Sequence, residues 1–97
     1  MDVTPNDVTK NGAESRYEVR VGDDVIGLAE YVVDDGIITF THTEVSPAFE
    51  GHGIGSTLIR AALDDVRATG DLRVVPLCPF VRAFIQRHAE YADLLAH

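Results

Sequence analysis

The first half of the chain alternates between apolar and polar positions, which is the pattern of half-buried β-strands. In the segment RYEVRV (16–21) Tyr17, Val19 and Val21 lie on one side, and Glu18 and Arg20 lie on the other. VIGLAEYVV (25–33) and IITFTHTEV (37–45) follow after the short polar turns GDD and DDG, and the last segment is rich in β-branched residues. Three successive strands joined by short turns predict an antiparallel meander.

The second half of the chain changes to helical spacing after the loop SPAFEGHGIGS (46–56). From residue 54 onward the apolar side chains fall on one stripe, and Gly70 fits the end of this helix as a left-handed cap. LRVVPL (72–77) predicts a short buried strand, and PFVRAFIQRH (79–88) predicts a second helix with proline at its first position. The predicted fold class is α/β (α+β), with the order βββ-α-β-α.

The length of 97 residues allows one hydrophobic core and therefore one folded domain, which we place at residues 15–97. Residues 1–14 are polar and show no period, so we expect a flexible N-terminal tail there. The start of the chain lacks the basic residues and the apolar run of a signal peptide, and no apolar stretch approaches the roughly 20 residues that span a bilayer. We therefore expect a soluble, cytoplasmic protein.

Sixteen acidic residues against eight basic ones give a formal net charge of −8. This charge repels nucleic acid and anionic membranes, so we expect neither as a partner, and it mildly attracts a cationic amine or a basic protein. The same charge also serves solubility alone. The four histidines are scattered and form no ligand pattern, so no metal site is predicted.

The loop GHGIGS (51–56) stands between a strand and a helix, where the free N–H groups of the helix start bind anions. It lacks the lysine of a Walker loop, and its G-x-G-x-G spacing differs from the G-x-G-x-x-G fingerprint of dinucleotide-binding folds. Its glycines allow a close approach of backbone to ligand. We favour a pyrophosphate cradle over a connection that merely turns the chain.

Cys78 is the only cysteine, so the chain forms no internal disulfide, and it stands between Pro76 and Pro79. Since Pro79 fits the first position of a helix, Cys78 is a candidate N-cap, and the positive end of the helix dipole would lower its pKa. The alternative is a small apolar residue that only packs, as many unpaired cysteines do. The local sequence leaves both interpretations open.

His42 belongs to the third predicted strand, on the same side as Ile38, Phe40 and Glu44 if the alternation is regular. This row changes from apolar to ionisable toward the glycine loop, as in a strand that leads into an active site. The alternative is a histidine that is simply hydrogen-bonded at the end of the sheet. Taken alone, the strand does not decide between the two.

Together, the segments THTEVSPAFEGHGIGSTLIRAALDDVRATG (41–70) and LRVVPLCPFVRAFIQRH (72–88) resemble the GNAT superfamily of acetyl-CoA-dependent N-acetyltransferases. They are most similar to its minimal, single-domain GNAT-like branch. The resemblance covers roughly residues 16–95 and rests on HTEV, GHGIGS and PLCPFV in this order. It implies a mixed sheet in which the third and fourth predicted strands lie parallel and splay apart, opening a V-shaped slot.

The resemblance also implies acetyl-CoA as a cofactor and assigns residues to it. The pantetheine arm would pair with the backbone near Val45. The pyrophosphate would rest on the N–H groups of the glycine loop, which are those of Gly51, His52, Gly53, Ile54, Gly55 and Ser56. In the minimal branch the proposed catalytic pair corresponds to Cys78 and His42. The candidates for contact with the 3′-phosphate are Arg60, Arg82 and Arg87.

Two features depart from the pattern of the superfamily. Glu50 stands where the loop usually begins with Gln or Arg, and the second helix starts without the tyrosine that protonates the leaving thiolate in larger members. The chain also carries no counterpart of the N-terminal helices that wall the acceptor site in those members. We therefore expect an open acceptor side, suited to a protein or a small cationic amine, on a monomer or weak homodimer.

The implied function is N-acetyltransfer to an amine, by one of two routes. In a direct route His42 or Glu44 takes the proton of the attacking amine, and in a covalent route Cys78 takes the acetyl group first. We favour the covalent route because the chain supplies a well-placed thiol and no tyrosine acid. A non-catalytic module that binds CoA or acyl-CoA is the alternative, followed by a thiol redox domain, which leaves the glycine loop unexplained.

Overall fold

The computed structural model describes residues 3–96, so Met1 and Asp2 of the predicted tail and His97 of the predicted domain lie outside the described residues. One five-stranded mixed sheet runs in the order β1-β2-β3-β4-β5. The strands are β1 (Val8–Asn11), β2 (Arg16–Val21), β3 (Asp24–Asp34), β4 (Ile37–Val45) and β5 (Arg73–Pro76). The α-helices are α1 (Ile54–Thr69) and α2 (Pro79–Arg87), and short 3-10 helices occur before, between and after these elements.

The predicted meander is confirmed, because β2, β3 and β4 pair antiparallel in succession. The turn between β3 and β4 shows why the sequence folds this way. Asp35 and Gly36 both adopt left-handed backbone angles, with φ of 51° and 76°. Positive φ at both central residues defines the two-residue hairpin turn that suits the twist of the strands, and Asp-Gly is a preferred pair for it.

The expectation of a flexible tail over residues 1–14 is wrong for its second half. Val8–Asn11 form β1, which pairs antiparallel with β2 from Val8 opposite Val19 to Asn11 opposite Arg16. A strand of four residues with a single apolar side chain carries no detectable period. Its position is fixed instead by the free backbone groups along the outer edge of β2.

Both helices bury apolar stripes in one core with the sheet. On α1 the stripe includes Leu58 and Leu63, which are fully buried, and Gly70 caps the end of the helix with a left-handed φ of 77°, as predicted. On α2 the first residue is Pro79 and the N-cap is Cys78, also as predicted. Within residues 3–96 no helix is long and apolar enough to cross a bilayer.

The predicted parallel pair is also confirmed. β5 pairs with the first four residues of β4, from Ile37 opposite Arg73 to Phe40 opposite Pro76. Because β4 continues for five further residues to Val45, the two strands share only part of their length. The molecule thus combines four antiparallel strands with one parallel pair that separates, which is the mixed architecture expected from the sequence.

Candidate functional site

The separation of β4 and β5 has a local cause in the two prolines around Cys78. Pro76 has no N–H to donate to β4, and Pro79 sets the backbone for the first turn of α2. The last backbone bond across the pair joins the Cys78 N–H to the Phe40 carbonyl at 2.9 Å. Beyond that bond, the edge of β4 that faces away from β3 is free of backbone partners among residues 3–96.

β4 changes the faces of its side chains at the same level. Tyr31 pairs with Phe40, and Glu30 pairs with His42, so Thr41 is an extra residue that forms a β-bulge. The Thr41 hydroxyl donates to the Glu30 carbonyl at 3.3 Å. An inserted residue shifts the alternation by one, so that the positions beyond it exchange faces.

The expectation that His42 continues the row of Ile38 and Phe40 is therefore wrong. Both of those residues are fully buried, whereas His42 is half exposed beyond the bulge. His42 Nε2 lies 3.1 Å from Glu44 Oε1, which places these two side chains together on the outer face of the strand. Thr43 and Val45 occupy the inner face instead, where a regular alternation would have placed His42 and Glu44.

A cleft of about 350 Å³ opens where β4 leaves β5. This volume lies within the range of small-molecule sites in proteins. Its walls come from the end of β4, the glycine loop, the first turn of α1 and the first turn of α2. The lining residues are Thr43, Val45, Phe49, Glu50, Gly51, Gly53, Ile54, Gly55, Ser56 and Phe80.

The start of α1 presents free amide groups to this cleft. Gly53 is the N-cap, with a φ of 72°, and it supplies no side chain that could accept a hydrogen bond from the first turn. The first backbone bond of the helix runs from the Thr57 N–H to the Gly53 carbonyl at 3.1 Å. The N–H groups of the preceding residues are consequently available to an anion, and the first turn carries no acidic residue.

Two close contacts set the shape of the cleft. On β3, a Cβ built on Gly27 would stand 3.3 Å from the Glu44 carbonyl oxygen and 3.5 Å from Ile54 Cγ2, so a glycine there lets α1 begin close to the sheet. At the opposite wall, the Phe80 ring packs on Gly55. The Phe80 side chain remains 44% exposed and forms part of the mouth.

Cys78 lies behind the wall of the cleft rather than in it. Its exposure is only 6%, and its sulfur is 3.4 Å from the Thr43 hydroxyl, which does line the cleft. Burial raises the pKa of the Cys78 thiol, but hydrogen bonds from the Thr43 hydroxyl and from the backbone of Val81 and Phe80 outweigh it, so the pKa is lowered overall. The helix start thus favours the thiolate, in agreement with the N-cap position.

The structure brings most of the predicted cofactor residues together. Val45 and five residues of the glycine loop line one cleft, whereas His52 is exposed on the loop and is not part of its wall. The predicted pair of Cys78 and His42 is not joined by a hydrogen bond within residues 3–96, because the bulge turns the histidine outward.

Sequence reasoning missed three wall residues, which are Thr43, Phe49 and Phe80. Thr43 is two residues before Val45 and so shares its face of the strand, a signal that was present in the sequence. The two phenylalanines reach the cleft through tertiary packing. Neither of them follows a periodic pattern that would have indicated a wall.

The three candidate arginines have different surroundings. Arg60 is held in place, with its guanidinium 3.3 Å from the Tyr91 hydroxyl and 3.6 Å from the Glu90 carboxylate. Arg82 and Arg87 are exposed on α2, and neither forms an ion pair within residues 3–96. A phosphate contact by Arg60 would have to compete with its present partners.

Comparisons with known proteins agree with this geometry. The family model described as GCN5-related N-acetyl-transferase matches residues 16–94. Protein NATD1 from Bos taurus is 38% identical over 66 residues, which are 68% of this chain and 57% of that protein, so the chain spans little more than half of its relative. A GCN5-like protein from Staphylococcus aureus, solved by NMR, shares the fold with a TM-score of 0.69, at 22% identity over 92% of this chain and 86% of that one. The chain belongs to the family of GCN5-related N-acetyltransferases.

Proposed function

We propose that the protein is an acetyl-CoA-dependent N-acetyltransferase that binds its donor in the cleft between β4 and α1 and acetylates an amine. The observation that carries this proposal is the divergence of β4 from β5 beside the uncapped start of α1. One side of the cleft offers unpaired strand backbone and the other offers unpaired helix amides. These are the two kinds of group that an extended pantetheine arm and a pyrophosphate require.

The pyrophosphate end of the donor fits the residues that are present. The N–H groups of Ile54, Gly55 and Ser56 precede the first bond of the helix, and together with the helix dipole they favour a negatively charged group. Gly51 and Gly53 both have left-handed φ angles, which carry the loop past the cleft without a side chain in the way.

The pantetheine end fits the free edge of β4. Val45 lines the cleft and pairs with Gly27 on its other side, so its backbone on the cleft side is available to an extended partner. An added chain that pairs with a strand edge gains main-chain hydrogen bonds without demanding particular side chains. Acetyl-CoA would supply the activated acetyl group at the inner end of this edge, next to Thr43.

Two routes for the acetyl group differ in the role of Cys78. In the covalent route the Cys78 thiolate bonds to the acetyl carbon as the bond to the CoA sulfur breaks, and CoA leaves as its thiolate and takes a proton from solvent. The amine then attacks the acetylated cysteine, the bond to the Cys78 sulfur breaks to restore the thiolate, and His42 takes the proton of the amine. In the direct route the amine attacks the acetyl carbon itself and gives its proton to His42 on the outer face, while the bond to the CoA sulfur breaks and CoA leaves as its thiolate and takes a proton from solvent. We continue to favour the covalent route because the thiol pKa is lowered and the inner wall holds no tyrosine.

The acceptor would approach from the outer face of β4, where His42 and Glu44 stand exposed. Glu44 Oε1 lies 3.1 Å from His42 Nε2, so this carboxylate can orient the imidazole and leave its other nitrogen free to take a proton. An amine is the acceptor that this pair and the net charge of −8 suit, since a protonated amine is drawn to a negative surface.

The alternative function is a module that binds CoA without transferring the acetyl group. Glu50 in the wall of the cleft, Phe80 at the mouth and the 6% exposure of Cys78 favour it. It predicts that CoA binds and that no amine in a broad panel becomes acetylated. It also predicts that His42→Ala leaves the affinity for CoA unchanged.

The experiment that tests the proposal is calorimetric titration with CoA and acetyl-CoA, followed by mass spectrometry of the protein and of a panel of amines. Acetylation of an amine supports an enzyme. Retention of one acetyl group on Cys78, together with loss of turnover in Cys78→Ala, supports the covalent route. Full turnover in Cys78→Ala would leave the direct route.

A charge variant locates the site without destabilising the helix. Ser56→Asp adds a negative charge at the third position of α1, where an acidic residue favours the helix dipole but repels a pyrophosphate. Gln86→Glu adds the same charge at an exposed position of α2 outside the cleft and serves as the matched control. We expect Ser56→Asp to weaken CoA binding at least tenfold, which corresponds to about 1.4 kcal/mol, and Gln86→Glu to leave it unchanged.

A further inference from the structure

We infer that Thr43 is the positioning residue that holds the Cys78 thiol in its reactive form, in place of His42, which the family resemblance paired with Cys78. The inference rests on the proposed function for its purpose, since a reactive thiol beside the cleft is useful there for acyl transfer. Its geometric basis is independent of any ligand. It consists of the bulge at Thr41, the face of Thr43 and the contact between the two side chains.

The bulge gives Thr43 its place. Without the extra residue at Thr41, the regular alternation that buries Ile38 and Phe40 would point His42 inward and Thr43 outward. With the extra residue, Thr43 lines the cleft and its side chain contacts Cys78. The insertion therefore exchanges a histidine for a hydroxyl at the inner wall.

The hydroxyl connects the cleft to the buried sulfur. Thr43 Oγ1 lies 3.4 Å from Cys78 Sγ, within the range of a hydrogen bond to sulfur. Cys78 is only 6% exposed and does not itself line the cleft, and Thr43 is a wall residue whose side chain contacts its sulfur. A β-branched side chain has few χ1 rotamers available, so this hydroxyl is held in place more firmly than that of a serine.

The direction of the bond depends on the state of the sulfur. A thiol can either donate to the threonine or accept from it, but a thiolate has no hydrogen, so the Thr43 hydroxyl must then donate. A hydrogen bond that is donated to the charged form stabilises that form. The backbone of Val81 and Phe80 at the start of α2 acts in the same direction, whereas burial of the sulfur opposes it.

Charged side chains near the site do not take over this role. On β4, His42 and Glu44 pair with each other on the outer face, at 3.1 Å. On α2, Arg82 is exposed to solvent one turn beyond the thiol. The pKa of Cys78 is lowered by hydrogen bonds from a hydroxyl and from the backbone, so removal of the hydroxyl should raise the pKa of the thiol.

The test is the pH profile of alkylation of Cys78 by iodoacetamide, measured by mass spectrometry in the wild type, Thr43→Val and Thr43→Ser. Cys78 is the only thiol in the chain, so the rate reports on one group. Thr43→Val keeps the shape of the side chain and removes the hydroxyl. We expect it to move the midpoint of the profile to higher pH and to slow alkylation at pH 7 roughly five- to tenfold, while Thr43→Ser stays near the wild type.

The outcomes separate this inference from the proposed function, because alkylation needs no acetyl-CoA. An unchanged midpoint in Thr43→Val would overturn the inference, even if the protein binds acetyl-CoA and acetylates amines. A midpoint that is raised in Thr43→Val and stays near the wild-type value in Thr43→Ser would support the inference, even if the protein does not bind CoA. Thr43→Ala provides the same comparison if the valine variant does not unfold cooperatively, and an unchanged midpoint in both would be decisive against the role.

Discussion

The ring of Phe80 lies directly on the backbone of Gly55, so that a Cβ built on Gly55 would stand 2.7 Å from Phe80 Cζ. This contact joins the first turn of α2 to the first turn of α1 across the mouth of the cleft. It links two segments that sequence analysis placed in one site for separate reasons, the glycine loop and the cysteine-proline junction. The mouth of the cleft is therefore sensitive to a single methyl group.

We expect Gly55→Ala to weaken CoA binding about fivefold without loss of stability. The atom that meets the new methyl group is the far end of an exposed ring, so the ring can move aside, and alanine favours a helix by up to about 1 kcal/mol over glycine. Calorimetry with CoA and chemical denaturation measure the two effects. The double variant Gly55→Ala with Phe80→Leu is the control, and it should recover most of the affinity if the displaced ring causes the loss.

Glu50 offers a test of charge in the cleft. Its carboxylate is exposed in the wall that faces the proposed pyrophosphate site, so Glu50→Gln should tighten CoA binding severalfold at low salt, and the gain should shrink as added salt screens the charge. Asp34→Asn removes the same charge at the last residue of β3, which pairs with Ile37 at the start of β4 and does not line the cleft, and is the matched control. Equal effects of the two variants would mean that the charge of the whole protein, and not the position of Glu50, determines affinity.

His42 and Glu44 should affect transfer to the acceptor and not binding of the donor. Because both side chains are on the outer face of β4, we expect His42→Gln to lower kcat about a hundredfold with the CoA dissociation constant unchanged, and Glu44→Gln to have a smaller effect in the same direction. Steady-state kinetics and calorimetry on the same preparations check this split. A rise in the CoA dissociation constant in His42→Gln would contradict the assignment of faces.

Glu18 links stability to pH. This carboxylate is 1% exposed and accepts hydrogen bonds from Arg16 at 2.7 Å, Arg20 at 2.8 Å and Asn11 at 3.2 Å, and the Arg16 guanidinium is the main cause of its lowered pKa. Glu18→Gln should therefore reduce the free energy of unfolding by about 1–3 kcal/mol at pH 7.

The sign of the pH dependence follows from the lowered pKa of Glu18. A carboxyl group whose pKa is lower in the folded state contributes its stability above the unfolded pKa of about 4.3 and loses it as pH falls through the folded pKa. The difference between the wild type and Glu18→Gln should thus disappear in acid. Urea denaturation across this range measures it, with the exposed Glu14→Gln as control. A difference that stays constant in acid would show that packing, and not charge, accounts for the effect.

The order of most elements could be predicted because their signals are local. Alternation gave β2 to β4, helical spacing gave α1, and the special backbone needs of Gly70 and Pro79 marked helix ends. β1 could not be found in this way, since its four residues owe their position to a neighbouring strand edge. Elements whose cause lies in their own residues could be predicted, whereas an element whose position depends on contacts with another strand could not.

The candidate site was predictable in its location and not in its side-chain faces. The glycine loop and Val45 were assigned to one cleft, and they line one. The bulge at Thr41 leaves no mark in composition, because Thr41 does not have a left-handed φ that would favour glycine. One inserted residue was enough to exchange the predicted inward histidine for Thr43, which contacts the Cys78 sulfur, while His42 lies beside Glu44.

The measurement that tests the central claim most directly is amide NMR of the isotope-labelled protein during titration with acetyl-CoA. If the cleft between β4 and α1 is the donor site, saturation with acetyl-CoA should cause the largest chemical-shift changes at the backbone amides of the glycine loop and of the end of β4. These are the amides of Gly53, Ile54, Gly55 and Ser56 and those from Thr43 to Val45. The chemical shifts of the backbone amides of β1 and β2, which lie away from the cleft in the sheet, should not change. Saturating acetyl-CoA that leaves the cleft amides unmoved would contradict the account.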